Sequence, residues 1–172
     1  MGSASRLDDP DARCCSPAVA SVPFPPQRAV CPACAAQGKA VSVATVRALL
    51  RISLRLVTQP VYHFCATPGC SVVYFAPDSG PQFTVDQLRE PVFQKSLADL
   101  AAPVCYCFGY TRRALQGADA RTHAQVVADI TAGVHAGQCA CDIRNPQGSC
   151  CLGNVRRLFA ALQREPQRSE SR

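Results

Sequence analysis

The chain has 172 residues, a formal net charge of +6 and twelve cysteines, but only seven Phe, four Tyr and no Trp. A chain of this length buries one modest core or two small ones, so metal centres are expected to supply part of its stability. The basic residues form no dense cluster with interleaved aromatics, so nucleic-acid binding is not predicted. The positive charge is better suited to docking an acidic redox partner.

The cysteine content indicates a reducing compartment. The first thirty residues have no basic segment followed by an apolar run, so a secretory signal is not predicted. No stretch reaches the roughly 18 consecutive apolar residues of a membrane helix, so membrane insertion is not expected. We therefore expect a cytoplasmic protein, in which clustered cysteines are metal ligands rather than disulfides.

The chain order of polar, cysteine-rich and periodic segments predicts four parts and an α+β fold. Prolines and small polar residues predict a disordered leader over residues 1–29, which contains the doublet Cys14-Cys15. A zinc-binding α/β part built on a zinc knuckle and a β-ribbon follows over residues 30–102, then a helical metal module over residues 103–163. Residues 164–172 are expected to be a disordered tail.

The α/β part carries the first cysteine set, which is Cys31-Pro-Ala-Cys34 and Cys65-Ala-Thr-Pro-Gly-Cys70. Two close thiol pairs converge readily on one tetrahedral zinc ion, and four protein ligands leave no open position for catalysis. The alternatives are a redox-active Cys31/Cys34 pair or unrelated buried thiols, and His63 is a weaker candidate ligand. A structural zinc site is the preferred interpretation.

Short elements surround these cysteines. Val41 and Val43 alternate as in a strand, residues 45–50 predict the start of a helix, and residues 50–56 fit either type. Residues 71–75, between Gly69 and a Pro-Asp-Ser-Gly turn, predict a strand. Further on, Thr111 is expected to cap a short helix, and two amphipathic helices should begin near residues 121 and 152.

The helical module carries the second cysteine set. Cys105-Tyr-Cys107 is followed by Cys139 and by the doublet Cys150-Cys151, a wide spacing that suits an iron–sulfur cluster better than zinc, although a second zinc site is the alternative. For the fourth ligand, Cys151 is preferred because the apolar residues of the last helix follow it in register. Cys150 is the close second choice and Cys141 is ranked third.

These motifs carry a resemblance to known families. The segment Cys105-Tyr-Cys-Phe-Gly-Tyr-Thr111 with Cys139 resembles the bacterioferritin-associated-ferredoxin type of helical [2Fe–2S] module. Together with the upstream thiol pairs, residues 31–162 more closely resemble the N-terminal domain of CopZ-type copper chaperones. That resemblance implies one Zn²⁺ and one [2Fe–2S] cluster, with Cys31, Cys34, Cys65 and Cys70 on zinc and Cys105, Cys107, Cys139 and Cys151 on the cluster.

The function expected on this basis is electron transfer in copper or mercury handling, without catalytic turnover. Its partner would be a redox protein or a metal ion. The sequence contains no Met-x-Cys-x-x-Cys copper loop, so copper carriage by that route is not expected. The alternative is a metal-binding chaperone or scaffold with structural metal centres, in which Cys14 and Cys15 bind the cargo. A hydrolase is disfavoured because no Ser/His/Asp set or phosphate-binding loop is found.

Overall fold

The structure, a computed structural model, describes residues 28–169. The leader cysteines Cys14 and Cys15 lie outside this range. The N-terminal half contains a five-stranded antiparallel sheet whose strands are neighbours in chain order. Its strands are β1 (Arg28–Val30), β2 (Gln37–Val41), β3 (Tyr62–Phe64), β4 (Val72–Phe75) and β5 (Gln82–Thr84).

Helix α1 (Val43–Leu49) covers this sheet. Ser42 caps it, since its hydroxyl accepts a hydrogen bond from Ala44 N at 3.1 Å. Val46, Leu49 and Leu50 are buried with apolar residues of the inner strands to form the first core. All four residues of β4 are buried, as expected for a central strand that is covered on both faces.

The C-terminal half is a small hairpin packed with helices. The elements are β6 (Pro103–Cys105), β7 (Tyr110–Thr111), α2 (Arg112–Leu115), α3 (Ala120–His135), α4 (Cys141–Arg144) and α5 (Leu152–Ser169). Helices α3 and α5 pack through a second core that includes Val126, Ile130 and Val155. Within residues 28–169, no helix combines the length and apolar character needed to cross a membrane.

The expected mixed α and β architecture is confirmed, with the sheet in the zinc-binding half and helices in the other. Whether the helical half is of the ferredoxin type stays a prediction. Thr111 caps α2 as expected, and its Oγ1 accepts from Ala114 N at 3.3 Å. The cap of α3 is Asp119, whose carboxylate accepts from Thr122 N at 2.8 Å.

Two segments differ from the sequence-based expectation. The stretch over residues 50–56 forms no strand but a 3₁₀ turn (Leu54–Leu56), because Leu54 and Leu56 are about half exposed and only its first residues reach the core. Helix α5 continues to Ser169, so the helix includes residues that the sequence assigned to a disordered tail.

The segment between α4 and α5 lies against the sheet half instead of belonging only to the helical half. Thr45 Oγ1 donates to the carbonyl of Asp142, and Tyr74 Oη donates to Pro146 O at 2.8 Å. The Lys39 ammonium lies 3.2 Å from Ser149 Oγ. The two halves therefore meet along residues 142–150.

We expect the substitution His123→Phe to raise the free energy of unfolding by about 1 kcal/mol, because it removes buried polar atoms. The His123 ring stacks on Phe159 with centroids 3.7 Å apart, and neither ring nitrogen has a hydrogen-bond partner in residues 28–169. Phenylalanine preserves the stack. Denaturant unfolding of the zinc-loaded protein measures the change, with His135→Phe at the exposed end of α3 as the control. A loss of stability would show that His123 has a polar partner.

Candidate metal centres

The first cysteine set is built by two tight turns at one end of the sheet. After β1, Cys31 N donates to Ala36 O at 2.8 Å and Ala35 N donates to Cys31 O at 2.9 Å. This turn places Ala35 at a φ of 58°. The second turn joins β3 to β4, where Gly69 has a φ of 77°, a conformation that glycine adopts at little cost. Each turn directs its two thiols towards the thiols of the other turn.

The sulfurs of Cys31, Cys34, Cys65 and Cys70 all lie within 4.8 Å of one another. Cys34 Sγ and Cys65 Sγ are 3.6 Å apart. Four sulfurs at 2.3 Å from a tetrahedral zinc ion would be separated by about 3.8 Å, so the observed set fits Zn²⁺ in donor type, number and spacing. Within residues 28–169 this is the only group of three or more potential ligands that close together.

His63 is not part of this set. It lies fully buried in β3, and its ring stacks on Phe75 with centroids 5.6 Å apart. Gly38 makes room for the stack, because a Cβ at that position would lie 2.6 Å from the Phe75 ring. The stack is therefore a core contact next to the cysteine turns.

The thiols of the first set have opposed acidities. The Thr67 hydroxyl, 3.4 Å from Cys34 Sγ, lowers the pKa of Cys34 to about 6. Burial raises the pKa of Cys31 to about 12, and burial also raises the pKa of Cys70. Without a cation, the Cys34 thiolate is therefore favoured, whereas Cys31 and Cys70 retain their protons. A bound dication removes this conflict, because it stabilises all four thiolates together.

A lysine from the segment between the sheet and the helical half contacts this centre. Lys95 Nζ donates to Thr67 O at 3.1 Å and to Cys70 O at 2.9 Å, and it lies 3.7 Å from Cys65 Sγ. Four thiolates and one Zn²⁺ carry a net charge of −2, so a half-buried ammonium at this distance offsets part of that charge. Its hydrogen bonds also fix the turn that carries Cys65 and Cys70. No periodicity or motif in the sequence singles out Lys95.

The second cysteine set consists of two pairs at the junction of β6, α4 and α5. Cys107 Sγ and Cys141 Sγ are 3.6 Å apart, and Ala140 N lies 3.4 Å from Cys107 Sγ with its N–H donated to the sulfur. Cys105 and Cys151 are both buried, and the Cys151 side chain lowers the pKa of Cys105 to about 7. The structure thus brings together three of the four expected cluster ligands and adds Cys141.

The thiol pKa values of the second set are also shifted in different directions. The hydrogen bond with Cys151 lowers the pKa of Cys105 to about 7, and the same contact raises the pKa of Cys151. Burial, followed by the contact with Cys107, raises the pKa of Cys141 to about 12. In the absence of a cation, Cys105 is therefore the favoured thiolate of its pair, whereas Cys141 and Cys151 retain their protons.

Cys139 and Cys150 occupy different positions from these pairs. Cys139 is half-buried and forms no sulfur–sulfur contact of hydrogen-bond length within residues 28–169, whereas Cys141 begins α4 and turns towards Cys107. Cys150 is exposed. The sequence alone could not choose between Cys139 and Cys141, since Cys139-Ala-Cys141 offers two thiols of equal chemistry and the choice depends on where α4 starts.

The aromatic residues beside Cys107 pack into the protein. Tyr106 is only 7% exposed. Its hydroxyl donates to Pro91 O at 2.7 Å and accepts from Phe93 N at 3.0 Å. Phe108 packs on α3 where Gly133 leaves space for its ring. Both side chains therefore fix the hairpin that positions Cys105 and Cys107.

Comparisons with known proteins agree with the first site. Residues 28–89 match the family model zf_CopZ, described as a zinc binding domain. The copper chaperone CopZ of Archaeoglobus fulgidus is 31% identical over 128 residues, which are 74% of this chain and 60% of that protein. The chain therefore spans about three fifths of the length of this curated relative.

A solved structure is also similar to the chain. The X-ray structure of the Archaeoglobus fulgidus CopZ N-terminal domain superposes with a TM-score of 0.58 at 28% sequence identity, covering 76% of this chain and 98% of that domain. These matches support a CopZ-like, zinc-binding N-terminal part whose Cys31, Cys34, Cys65 and Cys70 thiols form the zinc site.

Proposed function

We propose that this chain is a metal-binding chaperone of the CopZ kind, in which a structural zinc centre supports a second thiolate centre. The observation that carries the proposal is the closed set of four sulfurs within 4.8 Å, in the region that matches the zinc-binding family model. The copper chaperone similarity over 74% of the chain supports a role in handling a thiophilic metal ion. No enzymatic activity is part of the proposal.

The zinc ion is assigned a structural role because of the donor set. Four thiolates complete a tetrahedral shell and leave no position for water or substrate. The two turns join β1 to β2 and β3 to β4, so one ion links both hairpins of the sheet. Metal binding therefore contributes directly to the folding free energy of this half.

For the second centre we propose a [2Fe–2S] cluster with Cys105, Cys107, Cys141 and Cys151 as ligands. Such a cluster takes two thiolates on each iron, so its four sulfurs form two close pairs and not one compact tetrahedron. The 3.6 Å approach of Cys107 to Cys141, and the buried pair Cys105 and Cys151 whose pKa values shift each other, follow this pattern. When bound, the cluster supplies one-electron chemistry. This ligand set replaces Cys139 of the sequence-based set with Cys141.

Within this function, electron transfer is the second candidate. It is favoured by the Ala140 N–H donated to Cys107 Sγ at 3.4 Å, because hydrogen bonds to ligand sulfur stabilise the reduced cluster. The partner would be a redox protein or the metal ion itself, such as copper or mercury, in the cytoplasm. The cargo ion is proposed to bind at Cys14 and Cys15 of the leader.

We predict that Lys95→Met lowers zinc affinity about tenfold, the equivalent of one charged hydrogen bond. The ammonium contacts Cys65 Sγ and two carbonyls of the ligand turn. Competition with a chromophoric chelator measures the affinity. Lys39→Met is the matched control, because Lys39 bonds Ser149 and not the cysteine turns. Equal affinities in the two variants would contradict the role assigned to Lys95.

Two single cysteine variants, Cys141→Ser and Cys139→Ser, test which thiols are ligands of the second centre. After anaerobic reconstitution with iron and sulfide, the parent should acquire two irons per chain and visible charge-transfer absorption that bleaches on reduction. Cys141→Ser should lose most of this absorption, and Cys139→Ser should retain it. The opposite ranking would restore Cys139 as a ligand. A colourless parent that binds only zinc would reject the cluster and leave a two-zinc protein.

The leader thiols provide the test of cargo binding. Copper(I) titration of the metal-loaded full chain, in competition with a chelator of known affinity, should reveal one site that Cys14→Ser/Cys15→Ser removes. The zinc content, measured on the same samples, should stay at one ion per chain. Unchanged copper stoichiometry in the double variant would exclude the leader as the cargo site.

A further inference from the structure

A groove on the helical half is lined by leucines and by one arginine. It lies where residues 97–100 meet helices α2 and α5, and it has a volume of about 360 Å³. Leu97, Leu100, Leu158 and Leu162 line it together with Arg112. The Leu97 side chain is 48% exposed. A groove of this size suits a few side chains of a bound molecule.

The Arg112 side chain forms no hydrogen bond in the described part of the chain. Its guanidinium lies over the Phe93 ring, with 4.9 Å between Cζ and the ring centroid. The Nε atom is buried and has no acceptor within residues 28–169. Buried polar groups are normally hydrogen-bonded, because the loss of hydration is otherwise uncompensated. The Arg112 guanidinium is therefore suited to an acceptor that another molecule supplies.

The charges around the groove favour an acidic ligand. Arg113, next to Arg112 in the chain, is exposed, and no carboxylate lines the groove among the residues that the structure describes. Asp99, which precedes Leu100, accepts a hydrogen bond from Ala101 N at 2.8 Å. A carboxylate that enters the groove therefore meets positive charge that no lining residue offsets.

The groove is built on elements that also hold the second cysteine set. Tyr110 of β7 pairs with Cys105 of β6, and α2 with Arg112 follows β7 directly. Helix α5 begins at Leu152, the residue after Cys151. No cysteine lines the groove within the described residues. A molecule bound there thus contacts the framework of the second centre and leaves its thiols free.

We propose that this groove binds an amphipathic helix of a partner protein, in which a carboxylate side chain lies between two leucines. The carboxylate bonds the Arg112 guanidinium, and the partner's leucines cover Leu97, Leu158 and Leu162. Because Leu158 and Leu162 are one helical turn apart, a helix that runs along α5 presents its i and i+4 side chains to them. The proposal goes beyond the proposed function and does not depend on which metal the second centre binds.

Two fluorescein-labelled peptides test the charge requirement. Each is an alanine-based helix with leucines at positions i and i+4, and position i+3 is glutamate in the first and glutamine in the second. Fluorescence anisotropy measures their binding to the metal-loaded full chain. We expect the glutamate peptide to bind about fivefold more tightly, because only its carboxylate forms a charged hydrogen bond with Arg112. No binding of either peptide, or equal affinities, would overturn the proposal.

Three variants locate the binding. Arg112→Gln should abolish the preference for the glutamate peptide, and Arg113→Gln, the matched control at the exposed neighbour, should retain it. Leu97→Asp changes an exposed side chain and should weaken both peptides about tenfold, because it places a charge against their leucines. Circular dichroism checks the fold of each variant.

A preference that survives in Arg112→Gln, or unchanged affinities in Leu97→Asp, would place the peptide elsewhere and reject the groove. Zinc and iron contents are measured on the same samples. They test the metal centres separately, so a failure of peptide binding at normal metal content counts against the groove alone.

Discussion

Four sulfurs brought within 4.8 Å at one end of the sheet impose the constraint on which this half of the structure depends. Four thiolates cannot remain ionised at that distance without a cation, as the opposed pKa values of Cys31 and Cys34 show. A bound dication attracts all four thiolates and so links the two hairpins that carry them. The short strands of this sheet, three to five residues each, then need less core of their own.

The zinc-binding half also supports the second centre. Residues 142–150, which connect Cys141 to Cys151, are held against the sheet half through Thr45, Tyr74 and Lys39. Lys95, which follows the sheet in the chain, returns to the cysteine turns. Polar contacts therefore link the segment that carries the second cysteine set to the sheet half, and Lys95 links the segment after the sheet to the first set.

The two cysteine sets differ in arrangement although their chemistry is the same. The first is one compact group from two similar turns, whereas the second is two pairs drawn from a hairpin, a short helix and the start of a long helix. A single ion suits the first arrangement and a two-metal cluster suits the second. Cys150 is exposed, whereas the neighbouring Cys151 is directed into the core.

The sequence by itself determined the four-cysteine group of the first centre, the cap at Thr111 and strand β4, because close cysteine spacing, a capping hydroxyl and a continuous apolar run are local signals. Only the tertiary structure decided that Cys141 approaches Cys107, that Lys95 reaches the first centre and that Tyr106 is buried. These contacts join residues 13 or more positions apart in the chain, through backbone groups and equivalent thiols. No residue type or spacing encodes such a choice, since it depends on how the two halves pack.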